Sequence, residues 1–296
     1  DFAFTVIDDT DHATVRRIRP VYSLLHDLGI LTTKTVWVLP APEHPNWGDA
    51  ETVEDPKYRE FAVDLQRKGF EIALHGVRGS SSERPTVARG LARFEEVFGH
   101  PPRVHANHAQ NADNLYWGGA RVPRWRRALR LHGALDPASA GHVEESPYFW
   151  GDYSRERIRY VRGATFVAVD TLRCDPYMPY RQKRFPYVNA WFSSSDGATP
   201  AALRKLLTPS NVERLVRQRG LCIVYTHFGV PGFLDDRGEV SPEVRGIFES
   251  VARYKGWFRP VGEILDFLAR DGIRDLTPLQ DLRLSWSVRR QRSQGV

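Results

Sequence analysis

The amino-acid sequence predicts an α/β fold, a single distorted (β/α) barrel with a decorated middle. Short apolar runs alternate with amphipathic helical patterns along most of the chain. This rhythm favours parallel strands joined by crossover helices. Polar residues able to carry chemistry directly follow several of the predicted strands, and α/β barrels place their active sites at that end.

The first half of the chain shows the alternation most clearly. Strands are predicted at 3–7, 35–39 and 71–74, and helices at 15–28, 56–68 and 85–98. Each helix is followed by a glycine, a residue that commonly ends helices because it adopts left-handed backbone angles without strain.

The second half is less regular. Strands are predicted at 165–169, 187–191 and 221–226, helical turns over 201–220, and helices opening at 241 and spanning 261–270. The stretch 118–162 is rich in Trp, Arg, Tyr and Pro and has no clean period, so we expect an insertion there. Residues 277–296 form a basic C-terminal tail, and 1–296 is expected to be one catalytic domain.

Composition excludes several classes of protein. The chain has 296 residues, 41% hydrophobic and 26% charged, and no run approaches the roughly 18 apolar residues of a membrane span. Cys174 and Cys222 form no CxxC pattern, which excludes a disulfide framework and a thiolate zinc site. So few cysteines favour a reducing compartment, and we expect a cytoplasmic protein. The net charge of +6 comes with no nucleic-acid-binding motif, so no nucleic-acid partner is expected.

Three polar features follow predicted strands. The first is Thr5-Val6-Ile7-Asp8-Asp9-Thr10, whose adjacent carboxylates would repel each other unless a cation or a shared proton relieves them. The alternative is a helix start, because Thr10 and Asp11 could cap the following helix. The other two are His75 and His227, each at the end of an apolar strand and each close to a glycine. A single histidine in such a place is more often structural, but three strand-end features together indicate a site.

The order of these features resembles the polysaccharide-deacetylase family (the NodB homology domain). That family begins with a strand ending in T-F-D-D-G, matched here by residues 5–10. It continues with a histidine after a strand, matched by His75, and a late strand ending in a catalytic histidine, matched by His227. The resemblance covers residues 2–272 and implies a barrel of the polysaccharide-deacetylase type.

The resemblance also implies a mechanism. Asp8 would be the general base, Asp9 and His75 metal ligands, and His227 the general acid, with zinc as the usual metal of the family. A divalent metal lowers the pKa of a bound water, and a base and an acid then transfer protons during amide cleavage.

Two departures from the family pattern bear on the metal. The family's His-x-x-x-His block reads His75-Gly76-Val77-Arg78-Gly79 here, and Gly79 cannot bind a metal. The Arg-x-Pro-Tyr-Gly block is replaced by a segment at 102–111 that contains two histidines and two asparagines. We predict His108 as the third ligand, with His105 as the alternative or as a neighbour that orients Asp8 or the substrate. A hydrogen-bonded polar turn is the competing interpretation.

Substrate contacts are predicted in three places. Asn107 and Asn111 accompany the two histidines, and Trp191 is a candidate for stacking on a sugar ring, although most aromatic residues serve the core. Arg124 and Arg127 belong to an arginine-rich stretch with helical spacing, either a solvated face or a phosphate-binding site.

Together these features predict a metal-dependent amide hydrolase. The leading hypothesis is an N-deacetylase of an amino sugar in a glycan, a glycan precursor or a nucleotide- or lipid-linked sugar. The alternatives are a hydrolase of a non-sugar amide or formamide on the same barrel, and a catalytically inactive barrel that binds glycan.

Overall fold

Seven parallel strands close into a barrel in the computed structural model. The structure describes residues 1–42, 49–118 and 139–292, and residues 289–292 are described without their side chains. The strands are β1 (Ala3–Asp8), β2 (Thr33–Val36), β3 (Glu71–Leu74), β4 (Val104–His105), β5 (Tyr160–Phe166), β6 (Tyr180–Arg181), β7 (Trp191–Asp196), β8 (Leu221–Thr226) and β9 (Arg274–Asp275). The order β5-β4-β3-β2-β1-β8-β7 is closed by pairing of β5 with β7. The predicted fold class is confirmed. The short strands β6 and β9 extend the sheet outside the barrel, where β6 runs antiparallel to β7.

Helices connect successive strands of the barrel, and three more of the described helices follow β8. They are α1 (Val15–Asp27), α2 (Pro56–Arg67), α3 (Arg84–Phe98), α4 (Gly151–Arg157), α5 (Thr171–Cys174), α6 (Pro200–Leu206), α7 (Pro209–Arg217), α8 (Pro242–Ala252), α9 (Val261–Leu268) and α10 (Pro278–Arg292). The hydroxyls of Thr14, Thr199, Thr208 and Ser241 accept a backbone N–H in the first turn of their helices. These caps satisfy donors that the helix itself leaves unpaired, which explains why the helices begin where they do.

Two strands lie elsewhere than the sequence predicts. β5 begins at Tyr160, before the predicted strand at 165–169, and β7 begins at Trp191, where the predicted strand at 187–191 ends. Much of β7 is a run of serines, so a pattern of hydrophobic residues does not reveal that this strand is buried. The barrel tolerates them because their hydroxyls find partners: Ser193 donates to Asp175, for example, at 2.6 Å.

The register of the barrel decides which residues share its mouth. Asp8, the last residue of β1, lies opposite Thr226 of β8 and Lys34 of β2, and Leu74 of β3 lies opposite His105 of β4. The carboxyl ends of these neighbouring parallel strands therefore meet at one edge, and the residues that follow them come together there.

The predicted insertion and tail are only partly described. Within 118–162 the described part contains α4 and the start of β5, and residues 119–138 lie outside the described residues. The basic tail contains α10. None of the described helices has the length and apolar character needed to cross a bilayer.

Candidate metal centre

Three side chains from three neighbouring loops converge at the mouth of the barrel. Asp11 follows β1, His75 follows β3 and His108 follows β4. Their ligand atoms all lie within 4.8 Å of one another. The two Nε2 atoms lie 3.2 Å (His75) and 3.0 Å (His108) from the Asp11 carboxylate oxygens. All three residues are buried, with 6%, 2% and 1% of their surface exposed in chain order.

Each histidine of this group is oriented through its other ring nitrogen. Nδ1 of His75 lies 3.1 Å from the carbonyl oxygen of Ala106, and Nδ1 of His108 lies 3.2 Å from the amide oxygen of Asn111. These oxygens can only accept hydrogen bonds, so each Nδ1 carries the proton in the neutral ring. The lone pair of each Nε2 is thereby directed at Asp11, an arrangement typical of histidines that bind a metal.

The donor set fits a divalent metal ion. Oδ2 of Asp11 is buried and accepts no hydrogen bond from the described residues. Burial by itself would raise the pKa of Asp11, whereas N–H groups of His108 and His75 donating to the carboxylate would hold that pKa well below its usual range. When both rings instead carry their proton on Nδ1, a bound cation would take the place of those donors. One buried carboxylate and two imidazoles are ligands that zinc accepts, and three protein ligands leave a coordination position for water or substrate.

Gly79 and Trp37 explain why the expected second histidine of the β3 loop is missing. A Cβ placed on Gly79 would lie 2.9–3.0 Å from ring atoms of Trp37, closer than side chains pack. The Trp37 indole donates a hydrogen bond to the carbonyl oxygen of His75 at 2.9 Å and packs edge-on against His108, with ring centroids 5.3 Å apart. The indole therefore fills the space beside Gly79, and the third candidate ligand comes from the next loop.

Asp9 lies beside this group and is held by an arginine. Arg162 of β5 contacts both carboxylate oxygens of Asp9, at 2.9 and 2.5 Å. Asp9 also lies 3.7 Å from Nε2 of His75. Burial alone would raise the pKa of Asp9, but Arg162 outweighs that effect and the pKa is lowered. The buried carboxylate therefore stays ionised at neutral pH.

The geometry differs from the roles predicted for Asp8 and Asp9. The sequence prediction placed Asp9 with the two histidines and Asp8 as base, whereas Asp11 meets the histidines. Asp8 instead binds the hydroxyl of Tyr22 at 2.9 Å, the ammonium of Lys34 at 2.9 Å and the N–H of Phe228 at 2.7 Å. Alternation of side chains along β1 turns Asp8 away from Asp9, and Asp11 reaches the histidines from the loop that follows the strand.

His227 lies on the other side of Asp11. Its Nε2 is 3.5 Å from Oδ2 of Asp11, and Asp9, Asp11 and His227 form a second group able to hold a cation. Nδ1 of His227 lies 3.0 Å from the carbonyl oxygen of Ala198, and Nε2 lies 3.2 Å from the hydroxyl of Tyr225. The His227 side chain is 17% exposed, more than any side chain of the first group.

His105 and Asn107 form a buried support beneath the mouth. Nε2 of His105 lies 3.2 Å from the amide oxygen of Asn107, which also accepts the N–H of Leu115 at 2.9 Å. Burial lowers the pKa of His105 to about 3, so the ring is neutral. The hydrogen bonds and ion pair described for the Asp8 carboxylate go to Tyr22, Lys34 and Phe228. The side chains of His105 and Asn107 are 1% and 3% exposed, which leaves them little access to a substrate.

The remaining predicted substrate residues are separated in space. Asn111 orients His108, because its amide oxygen accepts the hydrogen bond of the His108 Nδ1–H. Trp191 is fully buried and packs against Phe185, so in this structure it offers no face to a sugar ring. Arg124 and Arg127 lie outside the described residues.

Sequence reasoning missed three residues of the site. The sequence suggests for Asp11 only a possible helix cap, although the Asp9-Thr10-Asp11 spacing is itself a signal for two carboxylates at one strand end. Trp37 and Arg162 gave no such signal, because each acts on a residue far away in the sequence.

Comparison with protein-family models and with curated protein sequences finds no match. Among solved structures, a Mycobacterium smegmatis protein assigned as a polysaccharide deacetylase matches with a TM-score of 0.52 at 14% identity, over 93% of this chain and 94% of that one. PuuE allantoinase matches with a TM-score of 0.47 at 10% identity over 91% and 90%. A Pseudomonas aeruginosa protein assigned as a polysaccharide deacetylase matches with a TM-score of 0.46 at 10% identity, over 91% of each chain. The first similarity supports a barrel fold like that of polysaccharide deacetylases.

Proposed function

We propose that this protein is a metal-dependent amide hydrolase that removes an acyl group from an amino sugar. The observation that carries the proposal is the buried group of Asp11, His75 and His108, with both histidines oriented through Nδ1 so that Nε2 faces the carboxylate. Such a preorganised set of ligands has no evident structural use, since a buried carboxylate between two imidazoles is costly without a cation.

The three residues of this group would hold the metal. Zinc suits one carboxylate and two imidazole ligands. A divalent metal bound there would lower the pKa of a water molecule and polarise the acyl carbonyl. The side chains around the group then supply the proton transfers.

Asp9 is the proposed general base. Its carboxylate lies beside His75 and is kept ionised by the paired hydrogen bonds from Arg162, so it can accept the proton of the attacking water. Arg162 also fixes the direction of the carboxylate, because a guanidinium bound at both oxygens leaves little freedom of rotation. This assignment replaces Asp8, whose carboxylate is occupied by other partners.

His227 is the proposed general acid. Its Nδ1–H donates to the carbonyl oxygen of Ala198, so the second proton of an imidazolium would sit on Nε2, which faces Asp11. From there it can be delivered to the departing amine nitrogen. The partial exposure of His227 allows the ring to take up a new proton from solvent after each cycle.

The substrate class rests on the resemblance in the sequence. We propose an N-acetylated amino sugar in a glycan, a precursor or a phosphate-linked form, with Arg124 and Arg127 as the predicted phosphate contacts. The same residues would serve a non-sugar amide or a formamide, so the assay decides which acylated amine is the substrate.

The direct test is acyl release by metal-loaded protein. The protein is stripped with a chelator, reloaded with Zn²⁺, and incubated with N-acetylated amino-sugar oligomers, a nucleotide-linked N-acetyl amino sugar and a simple formamide, with released acetate or formate measured. We expect chelation to abolish acyl release and Zn²⁺ to restore it. We expect the His108→Ala protein to release no acyl group. A protein that binds Zn²⁺ tightly yet releases no acid from any of these substrates would favour the inactive glycan-binding barrel.

A further inference from the structure

A buried ion pair lies directly behind the site. Asp8 is fully buried, the Lys34 side chain is 1% exposed, and the two charges lie 2.9 Å apart. Burial raises the pKa of Asp8, although Lys34 and the hydrogen bonds from Phe228 and Tyr22 oppose that rise. Burial by itself would lower the pKa of Lys34, but the neighbouring Asp8 carboxylate and other nearby groups raise it. Removing two charges from water carries a large free-energy cost, and an apolar pair of similar volume is often equally stable. Fold stability alone therefore does not account for this pair.

The Asp8 carboxylate does one thing that an apolar side chain cannot. Its Oδ1 accepts the backbone N–H of Phe228 at 2.7 Å, and Phe228 directly follows His227. The other oxygen, Oδ2, binds Lys34 and the hydroxyl of Tyr22. The Tyr22 ring also packs edge-on against the Phe228 ring, with centroids 5.7 Å apart. One carboxylate thus joins the end of β1, strand β2, helix α1 and the loop after β8.

These contacts link the backbone that carries Asp9 and Asp11 to the backbone that carries His227. Asp8 immediately precedes Asp9, whose N–H bonds to the carbonyl oxygen of Thr226 at 2.8 Å. On the far side of His227, Asp8 holds the N–H of Phe228. The backbone on both sides of the His227 imidazole is therefore tied to the strand that leads to Asp9 and Asp11.

We propose that Asp8 and Lys34 form a positioning device that holds the backbone at Phe228 and so places the His227 imidazole beside Asp11. This inference rests on the proposed hydrolase function. Lys34 neutralises the carboxylate, and Asp8 supplies the hydrogen-bond acceptor. Asp8 is in this account a positioning residue and transfers no proton.

Two double variants separate the acceptor from the charge. Asp8→Asn/Lys34→Met removes both charges but keeps an amide oxygen for the N–H of Phe228, whereas Asp8→Leu/Lys34→Met removes the acceptor as well. Without the acceptor we expect kcat for acyl release about tenfold below that of the Asn double variant, with KM and Zn²⁺ affinity alike in the two. Equal melting temperatures would show that both proteins are folded.

Hydrogen exchange tests the same inference without metal or substrate. The amide of Phe228, followed by NMR or in a peptide covering β8 and the following loop, should exchange at least tenfold faster in the Leu double variant than in the Asn double variant. Equal protection in the two would overturn the proposal. An Asn double variant that is inactive but keeps normal protection of the Phe228 amide would also overturn the proposal, because that result would make Asp8 the base. If the wild-type protein releases no acyl group, the proposed function fails, and the exchange comparison still decides the positioning.

Discussion

The two sides of the barrel mouth are held in different ways. On one side, His75 and His108 are almost fully buried, and each ring is tied by Nδ1 to an oxygen of the loop at 102–111. On the other side, His227 is partly exposed and ends a different strand. Asp11 lies between them, within 3.5 Å of all three Nε2 atoms.

Under the proposed function, this difference gives Asp11 two kinds of histidine partner. Ligands to a fixed ion need a dry and rigid surrounding, because rotation of either ring would lose the ion. A proton donor needs contact with solvent to recover its proton. The burial of the first pair and the exposure of the third match these two needs, and the following variants test the division from the largest expected effect to the smallest.

Loss of a ligand should have the largest effect. Asp11→Asn, His75→Ala and His108→Ala are each expected to lose tightly bound Zn²⁺ and to reduce kcat/KM more than about a thousandfold, since metal and chemistry fail together. Metal content by mass spectrometry and acyl release measure the two losses. His26→Ala, at an exposed histidine on α1, is the control and should keep both. A His108→Ala protein with its full metal content would remove His108 from the centre.

Asp9→Asn should separate chemistry from metal binding. We expect a fall in kcat of about 10²–10⁴ with nearly unchanged Zn²⁺ content, because the amide cannot accept the proton of water. Zinc titration and steady-state kinetics on the same preparation provide the comparison with Asp11→Asn. If Asp9→Asn loses the metal as completely as Asp11→Asn, then Asp9 belongs to the ligand set.

His227→Gln should retain metal and lose rate in a way that depends on the leaving group. A general acid matters most when the departing amine is strongly basic, so we expect a loss of about 10²–10³ on an N-acetyl amino sugar and a smaller loss on an activated anilide. Parallel kinetics with both substrates measure the difference. Equal losses on the two substrates would contradict the role of proton donor.

The smallest effect concerns the neutral His105 beneath the mouth. Burial lowers its pKa to about 3 from 6.5, so the unfolded chain binds the extra proton first. The contribution of the neutral His105 ring to the free energy of unfolding is therefore complete above pH 6.5. It is lost as the pH falls towards 3, at up to about 1.4 kcal/mol per pH unit. Denaturant unfolding between pH 7 and pH 4.5 should show a shallower decline for His105→Gln than for wild type. An identical pH dependence would mean that His105 is not held neutral by the fold.

Much of the fold was accessible from the sequence because its signals are local. Alternating apolar runs and helices, with a glycine after each early helix, predicted a barrel. The positions of Asp8 and Asp9, His75 and His227 at strand ends predicted a site at its mouth, and the segment at 102–111 predicted His108 as a further ligand. β7 escaped prediction, since buried serines carry no apolar pattern and become acceptable only when partners such as Asp175 are present.

The division of work among the acidic residues was decided by the tertiary structure. Asp8, Asp9 and Asp11 are nearly equivalent in sequence, but they meet Lys34, Arg162 and the two histidines respectively. Each partner comes from a different strand or loop, so no local pattern could assign it. By itself the sequence determined which residue types reach the mouth of the barrel. The pleat of β1 and the path of the loop that follows it decided which carboxylate faces the two histidines, which faces an arginine and which is buried behind the site, because a side chain's charge partner depends on the strand or loop packed beside it.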